Sequence, residues 1–98
     1  MVQTTARRPS EAERQRIEEI IDRHRNERPE GVRRVTFRFG EDQAGDPAVY
    51  IELYVSKDMK PTKEKIEELN DFVQVILNEI IDQDIEYWPY FRTFVDQE

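Results

Sequence analysis

Residues 32–55 read VRRVTFRFGEDQAGDPAVYIELYV, and the period of this stretch decides the fold. Val35, Phe37 and Phe39 alternate with Arg34, Thr36 and Arg38; further on, Val49, Ile51, Leu53 and Val55 alternate with Tyr50, Glu52 and Tyr54. An apolar residue at every second position marks a strand with one buried face, because successive side chains leave the backbone on opposite sides. Between the two runs, Gly40-Glu41-Asp42-Gln43-Ala44-Gly45-Asp46-Pro47 supplies turn formers, and the proline removes one ladder donor. The stretch predicts an antiparallel hairpin with matching apolar faces.

On either side the period changes to that of a helix. Upstream, Ser10 followed by Glu13 fits a capping box, in which the hydroxyl takes the Glu13 amide and the carboxylate returns to the Ser10 amide. Ile17, Ile20, Ile21 and His24 then form a narrow stripe, ended by Pro29 and Gly31. Downstream, Pro61 suits a first helical turn, and Ile66, Leu69, Phe72, Val73, Ile76, Leu77, Ile80 and Ile81 cover about half a helix circumference. A stripe that wide covers a sheet and reaches the first helix as well. The closing aromatic run predicts a short third strand from about Tyr90 to Val95, with Pro89 at its entrance because proline belongs at strand starts and edges.

The order is thus α-β-β-α-β, an α+β fold with two helices on one face of a three-stranded sheet. A third strand parallel to the second would require a right-handed crossover through the intervening helix. Residues 1–9 read as a polar, flexible tail carrying Arg7 and Arg8, and residues 10–98 as one domain. The 37% hydrophobic content of the 98 residues is low for a globular chain, so the core is thin and self-association would help it.

With no cysteine, disulfides, thiolate metal sites and cysteine nucleophiles are excluded. No apolar run approaches the length of a membrane span, the first residues lack the apolar core of a signal peptide, and a cytoplasmic location is expected. The net charge is −7 and unevenly divided: residues 1–38 carry +3, residues 39–98 carry −10. Such a chain disfavours nonspecific duplex binding and favours protein partners. Glycines at 31, 40 and 45 fit no phosphate loop or dinucleotide fingerprint. Serines are confined to positions 10 and 56, His24 is the sole histidine, and it lies on an apolar stripe. No enzyme activity, metal or cofactor is expected.

Three surfaces stand out. The sheet face opposite the helices displays Arg34, Arg38, Tyr50 and Tyr54, residue types that stack on unpaired bases and hold phosphates in readers of single-stranded RNA. Ordinary cross-strand pairing accounts for them too: one register sets Arg34 opposite Glu52, and a register shifted by two sets Arg38 opposite Tyr50. On the long helix, Glu64, Glu68, Asp71 and Asp82 share a sector around Val75, either a solvated outer face or a docking strip for a basic partner. Finally, Tyr87-Trp88-Pro89-Tyr90-Phe91 serves either the core or, through Trp88 and Tyr90, an interface.

The segment Gly40 to Ala48, taken with Trp88-Pro89-Tyr90-Phe91-Arg92, resembles a pattern in small uncharacterised bacterial α/β proteins, a likeness covering residues 32–95. It implies a bacterial cytosolic accessory protein working with an operon-encoded partner, and supplies no catalytic residues. The expectation is a noncatalytic interaction or regulatory module, antitoxin-like or an accessory subunit. It would present Glu64, Glu68, Asp71, Val75, Trp88 and Tyr90 to a protein partner. Single-stranded RNA on the arginine-tyrosine face is the alternative. A homodimer through the open sheet face or the third strand is compatible with both.

Overall fold

A computed structural model describes residues 9–97; the tail expected at residues 1–9 falls, but for Pro9, outside the described residues. Helix α1 (Glu11–Arg25) begins at the expected capping box: Ser10 Oγ accepts from the Glu13 amide at 3.1 Å, and Glu13 Oε1 accepts from the Ser10 amide at 2.9 Å. It ends at Asn26, earlier than Pro29 suggested, because no apolar position after Ile21 and His24 continues the stripe. Pro29 instead lies buried in the turn into β1 (Val32–Glu41), where its carbonyl accepts from the Val32 amide.

Strand β1 pairs antiparallel with β2 (Pro47–Ser56) in the register that sets Arg38 opposite Tyr50, with Thr36 opposite Glu52 and Arg34 opposite Tyr54. An irregularity between Val32 and Arg34 interrupts the ladder at its far end. At the turn, Asp42 Oδ1 accepts from the amides of Ala44 and Asp46, both at 2.9 Å, an arrangement natural to a short side chain in a reversal.

Helix α2 (Lys63–Asp82) starts two residues after Pro61 rather than at it, since the Thr62 hydroxyl accepts from the Lys65 amide and takes the capping position. Beyond the helix, Asp84 adopts φ +56° in the turn toward the last strand. Strand β3 (Trp88–Asp96) lies parallel to β2 and is longer than expected, so Pro89 sits within the ladder opposite Val49 rather than before it. The sheet order is β1-β2-β3, which makes β3 an edge strand, the place where a missing donor is tolerated.

The sheet is therefore mixed, with β2 buried between its neighbours and the two helices layered against one face. Ile17, Ile20 and Ile21 of α1 meet Val49, Ile51 and Leu53 of β2 and Val73, Ile76 and Ile80 of α2. Tyr87, just before β3, is buried and packs edge-on to Phe39 at 4.9 Å. Among the described residues, no helix is long and apolar enough to cross a membrane.

Candidate functional site

The two sheet edges are built differently. At β1, two arginines from α1 and its C-terminal turn reach the strand backbone: Arg25 Nη2 donates to the Val35 carbonyl at 3.2 Å, and Arg28 Nε to the Val32 carbonyl at 3.0 Å. The ladder irregularity and exposed Arg33, Arg34 and Arg38 add to this. Charge, irregular pairing and covered carbonyls are the means by which strands resist further pairing. At β3, among the described residues, no side chain bonds to the strand backbone between Tyr90 and Val95. The edge from Tyr90 to Val95 faces solvent, with apolar side chains on both faces, while Asp96 at its end is held by Arg33 at 3.6 Å and Arg34 at 4.0 Å.

On the helix side of that edge, Phe91, Thr93 and Val95 line one wall of a groove of about 390 Å³, and Ile66 and Leu69 of α2 line the other. Ile66 is 47%, Phe91 40% and Val95 51% exposed, although all three lie on faces that elsewhere are buried. The cause is geometric. Ile66 and Leu69 stand across the groove from Phe91, Thr93 and Val95 without closing over them, so the outer side of β3 keeps apolar side chains in solvent while Phe72, Val73, Ile76 and Ile80 of the same helix are buried. Lys57 and Lys65 stand at the groove's rim, Lys65 Nζ donating to the Glu30 carbonyl and to Glu68, each at 2.9 Å.

The open sheet face carries three rows of side chains across the strands: Arg34-Tyr54-Phe94, Thr36-Glu52-Arg92 and Arg38-Tyr50-Tyr90. Tyr54 stacks on Phe94 at 5.2 Å and Tyr50 on Tyr90 at 5.7 Å. The guanidinium of Arg34 lies 3.9 Å over the Tyr54 ring, and those of Arg92 and Arg38 lie 4.2 Å and 5.3 Å from the Tyr50 ring. Arg38 also pairs with Glu52 at 3.3 Å, and the Thr36 hydroxyl donates to the same carboxylate. Tyr50 is only 9% exposed despite facing outward, and its phenol donates to the Glu41 carbonyl at 2.7 Å.

The residues suited to RNA are thus brought together, with their ring faces covered by neighbouring guanidiniums and rings. A base would have to displace those partners before stacking. Tyr90 donates to Asp42 Oδ2 at 3.0 Å, tying the hairpin turn to β3. The amide of Asp46 and then the Tyr90 phenol hold the Asp42 carboxyl below its usual range, and the carboxylate in turn pushes the Tyr90 phenol up.

The residues expected to serve one protein partner fall on two separate surfaces. Glu64, Glu68, Asp71 and Val75 lie exposed on α2 away from its buried stripe, with Val75 47% exposed. Trp88 and Tyr90 belong to β3 and point to the sheet face opposite the helices, Trp88 at 54% exposure. The aromatic terminus therefore divides: Tyr87 enters the core, while Trp88 and Tyr90 flank the edge.

Sequence reasoning did not single out Ile66, Phe91 or Val95 as surface residues. Their apolar alternation was visible, but how far α2 reaches across the sheet was not. Among the described residues, no three histidine, aspartate or glutamate side chains are grouped to hold a metal ion. Comparison of the chain with family models, curated proteins and solved structures finds no match.

Proposed function

We propose that the chain is a noncatalytic protein-interaction module, an accessory or regulatory subunit whose partner docks along β3. The observation that carries this reading is the contrast between the edges: β1 is covered by Arg25 and Arg28, while β3 offers an open backbone beside an apolar groove. An extended segment added to such an edge gains main-chain hydrogen bonds, and its alternate side chains fill the neighbouring groove. Trp88 and Tyr90 on one face and Phe91 and Val95 on the other supply the aromatic and apolar contacts that dominate interface energetics. The acidic strip of Glu64, Glu68 and Asp71 is a second surface, suited to steering a basic partner at low salt.

The test is retention of a protein by the tagged chain from its native cytoplasm, comparing the wild type with Phe91→Lys and with Glu68→Lys. Phe91 is half-exposed, so the lysine reaches water without unfolding the chain. The expected result is loss of a stoichiometric partner with Phe91→Lys and weaker, more salt-sensitive retention with Glu68→Lys. A partner held equally by Phe91→Lys would remove the β3 edge from consideration.

A further inference from the structure

We propose that the β3 edge takes a second copy of the same chain, paired antiparallel about a two-fold axis at Thr93; this rests on reading the edge as the docking surface. In such a pair each residue faces a residue equally far from the axis on the other copy. If both copies keep their helices on one side of a continuous six-stranded sheet, inward residues must face inward residues, and the axis must pass through a residue rather than between two.

Three placements near the middle of β3 can then be compared. An axis at Arg92 sets the two guanidiniums directly opposite each other, which like charges disfavour. An axis at Phe91 puts Pro89, with no N–H to give, inside the new ladder, and leaves the exposed Val95 without a partner.

An axis at Thr93 avoids both defects. Small, neutral Thr93 faces itself. Phe91 meets Val95 of the second copy, burying two of the most exposed apolar side chains on the helix side. Arg92 meets Phe94 of the second copy on the open face, a cation over an aromatic ring, and Pro89 falls at the end of the paired stretch. The groove between β3 and α2 is lined by Phe91, Thr93 and Val95, so the same axis brings two grooves together and closes both.

Size and charge agree with this occupant. A standard interface covers about 800 Å² per partner, roughly an eighth of the 6568 Å² surface. A nine-residue strand runs about 30 Å and is flanked on both faces by large side chains. Glu64, Glu68 and Asp71 do not line the groove, and Glu68, the one beside its rim, has its charge met by Lys65 at 2.9 Å.

The inference is tested by sedimentation of the full chain and two charge variants. The wild type is expected at twice 11.8 kDa. Thr93 is exposed, so neither Thr93→Lys nor Thr93→Glu disturbs the core, which circular dichroism checks. Each variant alone sets like charges across the axis and is expected to sediment as a monomer. Mixed in equal amounts, lysine faces glutamate and the dimer returns. A monomeric wild type at tens-of-micromolar concentration would overturn the second-copy inference. So would a dimer indifferent to both variants. Either result leaves the edge itself to be judged by the Phe91→Lys retention experiment, where a different partner would register.

Discussion

Gly31 adopts φ +99° at the entrance to β1, where its carbonyl accepts from the Ser56 amide, and a Cβ there would run into the end of the Met59 side chain. Gly45, in the hairpin turn, has φ +86° with open space around it. Gly45→Ala therefore isolates backbone strain, about 1–2 kcal/mol, whereas Gly31→Ala adds the displacement of Met59. Urea unfolding of the two variants is expected to show the larger loss at Gly31, and equal losses would mean that Met59 moves aside without cost. Glu52 poses the complementary question of a charge rather than a conformation. It is nearly buried on an outward face, where Arg38 and Thr36 of β1 bond its carboxylate and β3 runs along its other side with Arg92 as its register partner. Glu52→Ala leaves Arg38 without its carboxylate and is expected to cost about 1–2 kcal/mol, since the guanidinium is half-exposed and solvent makes up part of the loss. The capping box at Ser10 was legible in the sequence because both partners lie within one turn. The enclosure of Glu52 was not, because it depends on the hairpin register and on β3 lying beside β2, and periodicity assigns neither.

Between elements, α1 and α2 are joined by a charged cluster rather than by apolar packing alone. His24 Nδ1 lies 2.8 Å from Glu27 Oε1 and Nε2 lies 3.1 Å from Glu79 Oε2, so each ring nitrogen faces a carboxylate, and only the doubly protonated imidazolium can donate to both. Glu79 also accepts from Arg23 at 2.8 Å. Glu27, and then Glu79, raise the His24 pKa above its ordinary 6.5, against the opposing effect of burial, while Arg23, and then His24, hold the Glu79 carboxyl below its ordinary 4.5. For His24 the folded pKa exceeds the unfolded one, so its stabilisation is fully present below 6.5 and is lost as pH rises through the folded value. For Glu79 the folded pKa is the lower one, so its contribution holds above 4.5 and is lost as pH falls through the folded value. The urea midpoint is expected to decline from mildly acidic to alkaline pH in the wild type and to lose that decline in His24→Gln; an unchanged slope would assign the effect elsewhere. The periodicity of Ile17, Ile20, Ile21 and His24 showed that the histidine belongs to an inward stripe. Its partner on α2 could not be read, because helical spacing sets the face of a residue and not what the face meets.

For the whole molecule, the sequence pattern carried the order of elements and the packing of both helices on one sheet face, since each follows from local period and turn chemistry, while it left two hairpin registers open, of which the structure holds the one with Arg38 opposite Tyr50. The asymmetry between the two edges was not legible in this way. It depends on how α2 packs beside the outer strand, and on two arginines, Arg25 and Arg28, whose side chains turn back to a strand that follows them. That asymmetry predicts a distinctive pattern of amide exchange. Strand β2, bonded on both sides and buried, should hold the slowest amides, as expected where opening requires global unfolding. Amides of β1 should not respond to protein concentration, because its edge is already occupied by the chain's own arginines. Outward amides between Tyr90 and Val95 of β3 should exchange quickly in dilute solution. They should become protected as concentration rises, and Trp88 emission should shift over the same range as the edge fills. Hydrogen exchange read by mass spectrometry at two concentrations distinguishes the edges directly. Concentration-dependent protection confined to β1, or absent from both strands, would contradict an open β3 edge that pairs with its own copy, whereas protection confined to β3 follows from the way the two edges are built.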